Sequence, residues 1–268
     1  MTGPRSIDPT ERAHLLDETG YTPPIHRYAP SPPLADAVRR YWMPVWSLPD
    51  GATSVQRVLQ YPVCLTVISH EYAILVGPSS GLSTQELAGS GWALGTMFQP
   101  AVGTTLADGP VDRLTDQVVP LPDEALVARV RATIGDDPDD PARRVEAVAA
   151  MEEWIAGLLP IDEEGLLVNA IVEHVEGDPA VQRVSQVCEK FAITERTLQR
   201  LTARRIGLSP KWLVQRRRLH EAAERLSDAG PDLARVAADL GYADQAHFGR
   251  DFKAVTGLTP GEFAAEPR

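Results

Sequence analysis

The chain has 268 residues, 43% apolar and 24% charged, with a net charge of −11. These proportions exclude wholesale disorder and allow one large or two ordinary domains with real cores. No apolar run is long enough for a spanning helix, and the first twenty residues hold no apolar signal region, so neither a membrane span nor secretion is expected. Cys64 and Cys188 lie far apart, which excludes a disulfide framework or a cysteine-rich zinc site and fits a reducing cytoplasm.

In chain order, residues 1–20 read as a polar N-terminal arm, either a short helix or a mobile tail. The proline-rich stretch 21–33 (YTPPIHRYAPSPP) admits no regular helix, and 35–42 (ADAVRRYW) allows one short helix. From about 43 to 106 the texture is strand and turn. RVLQYPVCLTVISH (57–70), EYAILVG (71–77) and GWALGTMFQP (91–100) are rich in β-branched and aromatic residues, with GPSSGLS (77–83) as a turn. Such spacing predicts a small barrel or sandwich over 21–122. Helical periodicity follows in DEALVARVRATI (123–134) and ARRVEAVAAMEEWIAGLL (142–159), a connector over 123–164. LPIDEEG (159–165) reads as a linker, and everything beyond it, 165–268, as helix.

Charge is divided along the chain. Residues 1–164 sum to −12, residues 165–268 to +1, and the stretch 183–218 alone to +8. A local basic band is what a polyanion meets, although a solvated helix face has the same composition.

The last hundred residues contain an internal repeat. Leu198, Arg200, Gly207, Leu208, Ser209, Pro210 and Leu213 recur fifty positions later as Phe248, Arg250, Gly257, Leu258, Thr259, Pro260 and Phe263. Val184, Val187, Cys188 and Phe191 recur at an offset of 49 as Leu233, Val236, Ala237 and Leu240. Each unit reads as a short amphipathic helix, a tight turn and a longer helix ended by glycine. Thr194 and Asp244 stand where caps belong, and Gly207 and Gly257 where a left-handed terminus does. Gly241 suits the turn of unit two, and Ala192 holds that place in unit one at a conformational cost. The unit is a helix-turn-helix. Two copies are too few for a solenoid, which favours DNA binding over a plain packing repeat.

On LQRL (198–201), GLSPKWL (207–213), VAADLGYADQAHFGRDFK (236–253) and TGLTPGEF (256–263), the segment 165–268 resembles the DNA-binding domain of AraC/XylS-type transcription regulators. Thr202, where the family has a core Phe, and Ala192 depart from the pattern. The resemblance implies two recognition helices in successive major grooves, about 34 Å apart. A long helix from residue 210 would space them, with roughly 18 residues spanning about 27 Å. Trp212, Leu213, Leu219, Ala223 and Leu226 would pack inward and Arg216, Arg217 and Arg218 would lie mostly outward. It carries base reading onto Arg196, Gln199 and Arg200 in unit one, and onto Gln245, Ala246, His247 and Arg250 in unit two, residue types that suit base edges. Glu195 and Asp251 are the expected ion-pair partners of Arg200 and Arg250. Phosphate contacts fall to Arg204, Arg205, Lys211, Arg216, Arg217 and Lys253.

YAPSPPLADAVRRYW (28–42) and GTMFQPAVGTTLADGPVDRLTDQVVPL (95–121) resemble a poorly characterised β-rich domain that precedes the DNA-binding domain in some of these regulators, implying a cupin-like barrel. The fold class expected is therefore α+β: an N-terminal small β-barrel with flanking helices, then an all-α domain of two helix-turn-helix units joined by a long helix. Trp42, Trp46, Tyr61, Tyr72, Trp92 and Phe98 can line a ligand pocket there or simply fill the core. The charge of −12 favours a neutral or cationic effector.

No two of the six histidines lie within four positions of each other, so no metal or other cofactor is expected. His70 and Glu71 would point to opposite faces of a strand, and no enzyme is expected. The leading expectation is a transcription regulator binding double-stranded DNA under a small effector, with RNA polymerase as a partner if it activates, and a possible homodimer. The alternative is a ligand-independent regulator whose N-terminal domain only dimerises or binds a protein. An alkyl-transfer repair sensor would need a reactive cysteine cluster, which Cys64 alone does not supply.

Overall fold

The computed structural model describes residues 14–15, 21–59, 61–79, 81–226 and 232–265, with only the backbone described at 14, 15 and 59. Apart from His14–Leu15, the expected N-terminal arm lies outside the described residues.

Two sheets form the N-terminal half. The six-stranded sheet has the order β2 (Ile25–Tyr28), β3 (Val38–Ser47), β8 (Ser90–Phe98), β5 (Leu65–Ser69), β6 (Ala73–Val76) and β9 (Val118–Pro120). The smaller sheet has the order β1 (His14–Leu15), β4 (Thr53–Leu59) and β7 (Leu82–Ala88). All pairings are antiparallel. The short helix expected at 35–42 is instead a 3-10 turn, Pro32–Leu34, followed by the start of β3. The alternation in VRRYWMPVWS decides this. Arg40, Trp42, Pro44 and Trp46 face the gap between the sheets, while Tyr41, Met43 and Val45 pack on the other side.

After a single turn, α1 (Gly103–Leu106), that other side is covered by α2 (Glu124–Ile134) and α3 (Pro141–Ala156). Asp123 accepts from the amide of Leu126 and Asp140 from that of Ala142, capping both helices. Leu126, Val130, Ile134, Ala147, Met151 and Ile155 form one core with Ile68, Leu94 and Phe98 of the sheet. The six-stranded sheet is thus a middle layer with helices on one face and a second sheet on the other.

The C-terminal half begins with α4 (Glu163–Gly177), capped by Asp162. The repeat units follow: α5 (Val184–Phe191) with α6 (Glu195–Ile206), and α8 (Leu233–Asp239) with α9 (Gln245–Thr256). Between them runs α7 (Pro210–Arg225), 16 residues, and α10 (Pro260–Ala265) is the last of the described helices. Thr194 caps α6 through the amide of Thr197, and Asp244 caps α9 through that of His247. Gly207 and Gly257 take the left-handed conformation at the helix ends, as the repeat implied. Ala192 has φ 52° and ψ 40°, so unit one does adopt the left-handed turn without glycine. The missing core Phe is Thr202, wholly buried, whose hydroxyl donates to the Gln199 carbonyl.

Two cores divide this half. One holds Val168, Ile171 and Val172 of α4 with unit one. The other joins α7 and unit two to Tyr61, Val63 and Met97 of the β-sheet half.

Candidate nucleic-acid interface and inter-sheet cavity

The face of unit one opposite its core is polar. Arg196, Gln199 and Arg200, at i, i+3 and i+4 on α6, are all exposed. In unit two, Gln245, Ala246, His247 and Arg250 of α9 are exposed likewise. The two acidic residues expected to pair with Arg200 and Arg250 do otherwise. Glu195 accepts from Gln199 Nε2 at 3.1 Å. Asp251 accepts from Gln215 Nε2 at 2.8 Å and lies 3.6 Å from His247 Nε2.

The six residues expected at phosphates separate into two groups. Lys211 and Lys253 are exposed, and so is Arg204, which reaches Glu164 at 3.6 Å. Arg205, Arg216 and Arg217 are 5%, 5% and 7% exposed and point into protein, so in this arrangement none of them can meet a phosphate. At about 100° per residue, Arg205 lies on the side of α6 away from Gln199 and Arg200. Its guanidinium takes Asp162, Glu164 (2.9 Å), the Ala101 carbonyl (3.4 Å) and Thr104 Oγ1 (3.2 Å). Through that hydrogen bond Arg205 holds the Asp162 carboxyl below the usual carboxylate range. Arg217 donates to Glu221 and to the Val181 carbonyl. Arg218, also expected outward, is half-buried with its guanidinium 3.8 Å from the Tyr242 ring centroid. The sequence could not separate these arginines, because α7 is packed around most of its circumference and offers no polar stripe to read.

The two halves meet over a continuous contact. Asn169 of α4 accepts from the Ala101 amide and donates to the Asp36 carbonyl. Thr115 Oγ1 donates to the Gly207 carbonyl at 2.8 Å, across the end of α6. A register shift in β3 between Val38 and Arg40 turns Arg39 out of the alternation. Its Nη1 reaches Glu176 of α4 at 2.8 Å, and Glu176 also takes Arg216 of α7 at 3.4 Å. Arg216 stacks 4.1 Å above the Tyr61 ring, and His220, one turn along α7, lies 5.4 Å from the same ring. Burial, together with the charge of Arg216, holds the His220 imidazole well below its usual range.

Between the two sheets lies a cavity of about 350 Å³, within the size range of small-molecule sites. Trp42, Trp46, Tyr61 and Tyr72 line it, as the sequence suggested. Trp92 and Phe98 do not: they have even positions in β8, where Ala93 and Met97 face the cavity, and they pack under α2 and α3 instead. The indoles of Trp42 and Trp46 lie over Gly95 and Gly91, so close that a β-carbon at either glycine would strike the ring. Gln56, Val58 and Leu87 form the facing wall. The ionised lining residues among those described are Arg27 and Arg40. The described acidic residues of this half therefore lie outside the cavity, and of the expected neutral or cationic ligand the lining does not favour the cationic one.

His70 and Glu71 do meet, at 3.7 Å, because they sit in an exposed turn after β5 rather than within a strand. Cys64 is buried, and burial pushes its thiol up to about 12, the reverse of what a nucleophile needs.

Residues 187–266 match the helix-turn-helix domain family. The regulator MtrA of Neisseria gonorrhoeae is 24% identical over 160 residues, 60% of this chain and 49% of that protein. A putative AraC-like transcription regulator of Streptomyces antibioticus is 27% identical over 120 residues, 44% of this chain and 38% of that protein. The chain carries an AraC-type helix-turn-helix domain. Residues 26–120, before the AraC-type domain, match a domain of unknown function, DUF6597. ToxT of Vibrio cholerae is similar in structure at a TM-score of 0.42 and 11% identity, over 91% of this chain and 96% of that one. The matched stretches span less than half the length of these curated relatives.

Proposed function

We propose that this protein is a sequence-specific transcription regulator, and that its AraC-type domain reads duplex DNA with α6 and α9. The observation that carries this is the doubled unit: two capped helices, each presenting an exposed arginine and glutamine face, joined by α7. Arg196, Gln199 and Arg200 read bases in one groove, and Gln245, Ala246, His247 and Arg250 in the next. Arg204, Lys211 and Lys253 hold phosphates. Fluorescence anisotropy with a random-sequence duplex and with its single strand tests this reading. Duplex binding that weakens steeply with salt supports it. Equal or absent binding to both forms rejects it.

The cavity makes this regulation effector-dependent. Its lining is mostly apolar and its charged members are basic, so it suits a largely apolar molecule that is neutral or anionic. A thermal-shift screen of such molecules is the test, since a ligand specific to the folded state raises stability by mass action. If no compound raises the midpoint, the ligand-independent reading replaces this one, with the β-sheet half only dimerising or holding a protein partner. RNA polymerase enters as a partner if the protein activates.

A further inference from the structure

Tyr61 belongs to two places at once. Its ring is part of the cavity wall, and it is a buried member of the core that contains Leu219, Ala223, Val236, Phe248 and Phe252. The charged end of that contact is equally specific. Arg216 is stacked on the ring at 4.1 Å, and His220 is packed against it at 5.4 Å and 56°. The Nε2 of His220 has no hydrogen-bond partner among the described residues, so aromatic packing and burial rather than hydrogen bonding hold that imidazole. Glu176 ties Arg216 to Arg39, which is itself 5.8 Å from the ring centroid. Arg216 and His220 are both on α7, the helix that runs between the two units in the chain.

We propose that Tyr61 is the positioning residue that reports occupation of the cavity to the DNA-binding domain. A molecule that displaces the ring from the cavity wall removes the surface on which Arg216 and His220 rest, and so shifts α7 and the spacing of the two recognition helices. The inference rests on the reading of the cavity as an effector site. It supplies what coupling requires, two distinct sites and one side chain that is part of the cavity wall and packs on the helix between the two recognition helices. Dense packing makes such a contact all-or-none rather than gradual, because interiors have few voids into which α7 could relax.

The test is hydrogen exchange in the segment 210–225 of the full chain, with and without saturating 1-anilinonaphthalene-8-sulfonate as the cavity probe. The variant Tyr61→Leu keeps an apolar side chain there and loses the ring. In the wild type the probe should change exchange in α7 by about threefold or more. In Tyr61→Leu it should bind and slow exchange in β3 and β8 while leaving α7 unchanged within about 1.5-fold. A second variant needs no probe: Val58→Trp fills the cavity from the facing sheet, and should change α7 exchange in the wild-type background but not with Tyr61→Leu. The proposal fails if α7 does not respond to a filled cavity, or responds equally without the ring. Should the dye find no site, Val58→Trp decides the matter. Neither readout involves DNA, so a response in α7 from a protein that ignores duplexes would keep the coupling and reject the DNA reading.

Discussion

Trp42 is packed directly onto Gly95: a β-carbon built on that glycine would fall 2.1 Å from Cζ2 of the indole. Trp42 and Gly95 are cross-strand partners in β3 and β8. The glycine is therefore what allows a large aromatic side chain to lie flat and leave the space beyond it open. Gly95→Ala should push the indole into the cavity and destabilise the protein by about 1–3 kcal/mol, the usual cost of overpacking. Urea titration and dye binding measure both effects. An alanine variant with unchanged stability and unchanged cavity binding would mean the ring lies elsewhere.

Arg205 pins the DNA-binding half to the linker and the β-sheet half through four partners. Arg205 is buried but its partner Asp162 is largely exposed, so removing the guanidinium should cost about 1–3 kcal/mol, less than breaking a wholly buried pair. Arg205→Ala should lose roughly that in denaturant titration, and Arg205→Lys should recover little of it, since an ammonium cannot reproduce the forked geometry. A loss below about 1 kcal/mol would show that the cluster is only a surface ion pair.

Asp162 and His220 are among the groups that give stability a dependence on pH. Asp162 has its carboxyl held down by Arg205, so its contribution is complete above the unfolded value near 4 and is lost as pH falls through the lower folded value. His220 is held neutral well below its unfolded value of about 6.5. From about pH 6.5 downward the unfolded chain takes up a proton that the folded chain refuses, and stability falls. Thermal unfolding of His220→Gln between pH 7 and 5 should be flatter than that of the wild type. Parallel curves would place His220 in water.

The six expected phosphate residues should separate in salt titrations. Alanine at Arg204, Lys211 or Lys253 should each reduce the slope of log K against log salt by about 0.9 and weaken all duplexes alike. Alanine at Arg217 should leave the slope unchanged, because that side chain is already spent on Glu221 and the Val181 carbonyl. Slope changes at Arg217 would mean that the domain reopens on DNA.

What the sequence made legible was whatever is written in local rules. Caps at Thr194 and Asp244, left-handed ends at Gly207 and Gly257, and apolar periodicity in α2 and α3 follow from residue type and spacing alone. The register of the repeat followed from the fifty-residue offset. What escaped was set by tertiary contact. ADAVRRYW has enough helix formers to suggest a helix, yet sheet pairing with β8 wins from Val38 onward. Trp92 and Phe98 match the pocket in composition, but only strand parity shows which face they take. Arg205, Arg216 and Arg217 match Arg204 in chemistry; contact with the β-sheet half takes Arg205 and Arg216 out of solvent, and Glu221 and the Val181 carbonyl hold Arg217 inside its own half.

The most direct test of the account is selection from a random duplex pool by the full chain, repeated with Arg200→Ala and with Arg250→Ala. Two sequence blocks about one helical turn apart should be enriched. Each variant should relax one block and leave the other, with a loss of about 1–3 kcal/mol on the affected block. No enrichment, or both variants eroding the same block, would contradict reading by two helix-turn-helix units.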